Sequence, residues 1–174
     1  MVRWLLVLLM FTGMADAAPP SLYSLLSQGQ YQPPMQVMLQ LEQNYPGVIT
    51  QFDIDVQNGE LIYEFNMLDP DAKTTVGFAF KASNGSLLEQ KVAKLESDDL
   101  EELAAVTLMR QKQLKFSQLI TLATGELDAY LTEAQLDHDL GISYLELKLL
   151  SAAGRHKLAF DIANLRPLPL LKWD

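Results

Sequence analysis

The chain has 174 residues, carries a net charge of −9 and contains no cysteine. The acidic balance argues against nucleic acid as a partner, because phosphate binding needs clustered Lys and Arg, and it disfavours anionic membrane surfaces. The missing thiols exclude disulfide staples, thiol catalysis and cysteine-based metal sites.

In chain order, the first segment reads as an export signal. Arg3 gives a positive start, Trp4 to Phe11 is a short apolar run, and Ala15-Asp16-Ala17 is a small-x-small cleavage site, which makes residues 1–17 a signal peptide. The context points to the periplasm, with full secretion left open, and to contact with a membrane only through that signal. Ser21 to Ser27 reads as a short lead-in helix. A helix follows Pro33-Pro34, with Val37, Met38, Leu41 and Tyr45 on one face, and it stops at Tyr45-Pro46-Gly47. Phe52, Ile54 and Val56 then alternate with Asp53 and Asp55 as in a half-buried strand. Asn58-Gly59 is a hairpin turn signal, since both central residues of that turn need positive φ. Leu61, Tyr63, Phe65 and Met67 form the inward row of the next strand, and Val76, Phe78 and Phe80 that of a third. Asn84-Gly85 turns the chain into Leu87-Leu88.

The middle is acidic: Glu96, Asp98, Asp99, Glu101 and Glu102 have no base beside them. Asp98 to Met109 reads as a linker helix capped by Ser97 or Asp98. From Arg110 onward eight basic residues balance eight acidic ones.

The pattern then repeats. Gly141 lies 82 positions after Gly59, and the same offset pairs Thr50 with Thr132, Asp55 with Asp137 and Glu64 with Glu146. Leu119, Ile120, Ala123 and Leu127 occupy the helical positions, and Leu145, Leu147 and Leu149 an inward strand row. The offset falls to 80 at Phe160, which places a loop shorter by two residues near Ser151. The expected fold class is α+β: two repeated modules, each a helix packed on a three- to four-stranded antiparallel sheet. The expected divisions are 18–94 for the first module with its lead-in helix, 95–109 for the acidic linker helix and 110–174 for the second module.

These motifs resemble the PepSY family. Tyr45-Pro46-Gly47, Asn58-Gly59, Tyr63-Glu64-Phe65 and the run Ala82 to Leu88 carry the resemblance in the first copy. Gly141, Leu145-Glu146-Leu147 and Phe160 to Asn164 carry it in the second. Leu165 stands where that family pattern has glycine, so the last turn is expected to differ. The resemblance implies a secreted or periplasmic module with an inhibitory or regulatory binding role and no catalytic residues to transfer.

Chemistry-bearing residues give little else. His138, within Asp137-His138-Asp139, has no second ligand pair at metal spacing, and His156 lies between Arg155 and Lys157, which disfavour a cation. No serine or carboxylate partner for catalysis is indicated for either. Asp69-Pro70-Asp71 lacks the spaced oxygens of a calcium loop and reads as a solvated turn. No cofactor, metal or catalytic residue is expected. The equivalent positions Ile62 and Tyr144 place large apolar groups on the outward strand face, and with Glu64 and Glu146 they are the candidate partner-binding residues. Trp173 is expected to pack on the second module. The expected function is that of an exported, non-catalytic protein that inhibits or modulates a protein partner, such as a peptidase or envelope sensor. The alternative is a small-ligand or envelope-component binder using a cleft between the modules.

Overall fold

The computed structural model describes residues 21–97 and 99–169, apart from the side chain of residue 101. The expected signal peptide, the cap at Asp98 and Trp173 lie outside the described residues. The elements run α1 (Leu22–Ser27), α2 (Pro34–Asn44), β1 (Val48–Gln57), β2 (Glu60–Asp69), β3 (Thr74–Lys81), β4 (Ser86–Lys94), α3 (Leu100–Lys112), α4 (Phe116–Thr124), β5 (Tyr130–Asp139), β6 (Ile142–Ser151), β7 (Gly154–Asp161) and β8 (Arg166–Leu168). No described helix is long and apolar enough to cross a membrane.

The eight strands form one antiparallel sheet in the order β4-β3-β2-β1-β5-β6-β7-β8. This overturns the expected pair of modules, each with its own small sheet. The duplicated motifs fall in two halves of a single sheet, joined because β1 pairs directly with β5 through Gln51↔Gln135, Phe52↔Ala134 and Asp53↔Glu133. Phe52 and Ala134 are 82 positions apart, so equivalent residues of the repeat stand opposite each other at the seam. The physical reason is the sheet edge. A strand with unpaired N–H and C=O groups is stabilised by pairing, and each half has such an edge at its first strand.

One face of this sheet holds the core. Phe52, Tyr63, Phe65, Met67, Leu136, Leu145 and Leu147 alternate inward, and Val37, Met38 and Leu41 of α2, Ala105, Val106 and Met109 of α3, and Leu119 and Ile120 of α4 are buried with them. Helix α3 therefore packs on the sheet. It does not bridge two bodies. Burying each of the larger side chains contributes about 1.5–3 kcal/mol, and Phe52 joins Phe65 and Tyr63 in an aromatic cluster with ring centroids 5.0 and 5.7 Å apart.

Local chemistry sets the boundaries. Pro34 opens α2, and the Tyr45 N–H closes it on the Leu41 carbonyl at 3.0 Å. Gly47 has φ +104°, and a Cβ there would lie 2.7 Å from the Leu68 carbonyl oxygen, so only glycine lets β1 begin this close to the end of β2. Helix α4 lacks a capping hydroxyl or carboxylate at Lys115; instead Glu42 of α2 accepts from the Ser117 N–H at 3.0 Å and from its hydroxyl at 2.6 Å. A carboxylate at a helix N-terminus satisfies donors that no intrahelical carbonyl reaches.

The repeat extends to irregular features. Thr50 and Thr132 both sit at β-bulges, and their hydroxyls donate across the hairpin to the Asn66 and Lys148 carbonyls at 3.5 and 3.0 Å. The connection between β6 and β7 is two residues against four between β2 and β3, the shortening that the change of offset places near Ser151. The last turn, however, does not differ as expected. Leu165 adopts φ +51°, close to the +69° of Gly85, and the Ile162 N–H donates to Ser143 as the Ala82 N–H does to Leu61. The turn geometry survives the loss of glycine because Asp161 braces it: its carboxylate accepts from the Ala163 and Asn164 N–H groups and from the Asn164 side chain at 2.8, 3.1 and 2.6 Å.

Candidate functional site

The face of the sheet opposite the helices is the feature with the most chemistry. Strand alternation puts Gln51, Asp53 and Asp55 of β1, Glu64 and Asn66 of β2, and Glu133, Gln135 and Asp137 of β5 on it. Cross-strand register then aligns them into rows. One row runs Glu89, Ala79, Glu64, Asp53, Glu133, Lys148, Lys157 from β4 to β7. Glu64, Asp53 and Glu133 are thus direct neighbours on adjacent strands, an arrangement that like charges oppose. Lys148 pairs with Glu133 at 2.7 Å, and Lys157 with Glu146 at 2.7 Å, so the basic residues gather at the β6–β7 end.

The electrostatics record the crowding. Burial first, then the Glu133 charge, holds the Asp53 carboxyl above its ordinary range. Glu64 is also raised, by partial burial and then by Asp55, Asp53 and Glu89. A shallow groove of about 270 Å³ passes over this region, floored by Gly77 and Ala79 and walled by Asp53, Glu64, Glu89 and Lys91. It exists because β3 contributes almost no side chain there; Asn66 Oδ1 would lie 3.3 Å from a Cβ on Gly77.

The four sequence-derived candidates all belong to this face, but they do not gather. Glu64 is exposed and sits in the carboxylate row. Glu146 is half-buried and paired with Lys157. Ile62 lies between Asp55 and Lys81 and is only 4 % exposed, so it is not the wet apolar contact expected. Tyr144 is half-buried, and its hydroxyl donates to Asp137 at 2.7 Å; burial and that hydrogen bond raise its pKa. The Ile62 and Tyr144 strands are separated by two others, roughly 14 Å at ordinary strand spacing. Asp53 and Glu133, which are not among those four residues, stand at the centre. Their signal was present in the strict alternation of acids with apolar residues in both strands.

The histidines differ from expectation. Each has a serine partner: His138 Nδ1 lies 2.8 Å from Ser143 Oγ, and His156 Nε2 lies 2.9 Å from Ser151 Oγ. Ser143 is 5 % exposed, and Ser151 Oγ also accepts from the Ala153 N–H in the β6–β7 turn. The His156–Ser151 pair belongs to that turn, and His138 and Ser143 line a shallow groove of about 350 Å³ beside Asp161. Among the described residues no group of three or more His, Cys, Asp or Glu side chains is placed to hold a metal ion. The Asp69-Pro70-Asp71 segment is a turn in which Asp69 accepts from the Asp71 and Ala72 N–H groups. There Arg110 pairs with Asp71 at 2.8 Å and holds its carboxyl below the usual range.

No protein-family model matches the chain, and no curated protein is significantly similar to it. Among solved structures, a candidate lipoprotein of Clostridium difficile 630 is similar at 17 % identity over 77 % of this chain and 88 % of that one, with a TM-score of 0.42. A likeness that distant carries no argument for fold or function.

Proposed function

We propose that this chain is an exported, PepSY-like, non-catalytic binding protein that regulates a protein partner, such as a peptidase or an envelope sensor, by covering it with the sheet face opposite the described helices. The observation that carries this reading is the row Glu64–Asp53–Glu133, three carboxylates side by side on the face that no described helix covers. The arrangement costs folding stability, and a basic surface laid over it would relieve that cost. The acids flanking it, Asp55 and Asp137, widen the same footprint. A partner whose contact surface is rich in Lys and Arg fits best. The alternative, a small-ligand or envelope-component binder, has no cleft between separate modules, since β1 and β5 are hydrogen-bonded neighbours; it would rest on the groove across that seam, lined by Asp53, Ile54, Thr132 and Glu133.

The test is crosslinking in the cell envelope with the tagged chain and with a variant carrying Asp53→Lys and Glu64→Lys. The reading expects one dominant envelope protein with the native chain and its loss with the charge-reversed one. Equal capture by both chains overturns the face assignment. Turnover of a substrate by the purified protein, abolished by a point substitution, overturns the non-catalytic reading.

A further inference from the structure

The strand at the β4 end of the sheet is open to solvent throughout: all nine of its residues are exposed. Among the described residues no strand pairs with its outer edge. Which groups that edge presents follows from one hydrogen bond. The Leu95 N–H donates to the Lys73 carbonyl at 3.0 Å, one step beyond the pair Thr74↔Lys94. Bonded positions alternate along an antiparallel ladder, so Lys91 and Ala93 bond β3, while Gln90, Val92 and Lys94 direct their N–H and C=O groups outward. Leu88 and Val92 are 55 and 65 % exposed along the same edge. Glu89 and Lys91, opposite Ala79 and Gly77, stand on the sheet face away from the helices. They pair with each other at 2.8 Å, and both side chains are more than half exposed.

We propose that β4 is a self-complementary interface on which a second copy of this chain docks, strand to strand and antiparallel, about a two-fold axis at Gln90. The inference is independent of the partner reading above. The order of residues carries it. A two-fold axis sets residue i of one copy against j of the other, and j against i. With the axis at Gln90, Glu89 of each copy lies opposite Lys91 of the other, and Leu88 lies opposite Val92. Opposite charges and apolar pairs directly across a ladder are both favourable. The two Gln90 backbones, whose N–H and C=O groups point outward, exchange the central hydrogen bonds. Other registers fail. Sliding one copy by two residues sets Lys91 against Lys91 or Glu89 against Glu89, and like charges oppose pairing. Sliding by one sets an outward-bonding residue against an inward-bonding one. The lysines that guard this edge against arbitrary strands thus admit a single register. The register shift between Ala79 and Phe80 makes Leu88 the extra residue of a bulge, and the pairing ends there. So short an interface gives a reversible, concentration-dependent dimer. The same axis leaves the helices of both copies on one side, so their acidic faces join into one surface.

Sedimentation equilibrium of the exported protein tests the proposal, with two charge reversals, Glu89→Lys and Lys91→Glu. The native chain should pass from monomer to dimer as its concentration rises. Each variant alone sets like charges opposite each other and should self-associate at least about tenfold more weakly. An equal mixture of the two variants should recover the dimer, because every charge on one then meets its opposite on the other. Amide hydrogen exchange locates the contact: Gln90 and Val92 should gain protection with concentration, while Lys91 and Ala93, already bonded to β3, should not change. A native chain that stays monomeric up to about a millimolar overturns the proposal. So does a dimer that both reversals leave equally tight, which would lie elsewhere on the surface. Protection of Gln90 and Val92 that does not depend on concentration also overturns it, since that would place part of the same chain on the edge.

Discussion

Replacing Glu42 with Ala tests whether the two halves of the helical layer are held by one side chain. Glu42 lies in α2, and both bonds it accepts come from Ser117 in the first turn of α4, 75 positions away. Ser117 is 3 % exposed, so water cannot readily take over the freed donors. Each hydrogen bond to a charged acceptor contributes about 1.5–3 kcal/mol, and the favourable placement at a helix N-terminus adds about 0.3–1 kcal/mol. Because Glu42 is half-buried and regains solvation in the unfolded chain, a total of about 2–4 kcal/mol is expected. For a domain of this size 3 kcal/mol lowers the melting temperature by about 6–12 °C. Urea unfolding of Glu42→Ala, Ser117→Ala and the double variant gives the coupling energy directly. A coupling of at least about 1 kcal/mol is expected between Glu42 and Ser117. A Glu42→Ala loss below about 0.5 kcal/mol, the range of ordinary surface substitutions, with additive single effects, would refute it.

Gly47→Ala should cost about 2–4 kcal/mol, because positive φ and a backbone overlap with Leu68 add; Gly59→Ala, at φ +79° with open space around it, should cost about 1 kcal/mol. Denaturant midpoints of the pair separate strain from clash. Leu140→Asn should stabilise by about 0.5–1 kcal/mol, since Leu140 is held at φ +50° and is 92 % exposed; thermal melting reads the gain. Asp53→Asn and Glu64→Gln should each stabilise at pH 7 by a few tenths of a kcal/mol, after allowance for solvent screening. Their carboxyls are raised in the folded state, so the folded protein takes up protons first and stability falls as pH rises through that window. The gain from either substitution should therefore shrink on acidification below the ordinary carboxylate range, as pH-dependent unfolding would show.

Much of the local structure was legible in the residues. The helical faces, the alternating strands, the Asn58-Gly59 turn and the shortened loop near Ser151 each had a direct chemical signal. What failed was the joining of the halves, because periodicity within a strand does not say what lies beyond its edge. A signal was nevertheless there: Val48–Gln57 and Tyr130–Asp139 contain no Lys, Arg or Pro, whereas the true edges carry Lys91 and Lys94 on β4 and Arg166 and Pro167 on β8. The left-handed residues Leu140 and Leu165 ran against propensity, and only the fixed hairpin geometry and the Asp161 brace explain them. The Glu42–Ser117 contact had no local signature, since the acceptor that caps α4 belongs to another helix. The centre of the acidic face was missed for a related reason: Asp53 and Glu133 become neighbours only through the β1–β5 seam.

The strand order also governs how the chain reaches its native state. Every neighbouring pair in the sheet consists of strands consecutive in sequence, except β1 with β5. Hairpins that close over short loops form in microseconds, whereas a contact between distant segments must first meet the entropy of closing a long loop. Closing the seam at Phe52 and Ala134 is therefore the step expected to limit the rate of folding. Substitutions there should slow folding itself, while substitutions at the outer strands should mainly hasten unfolding.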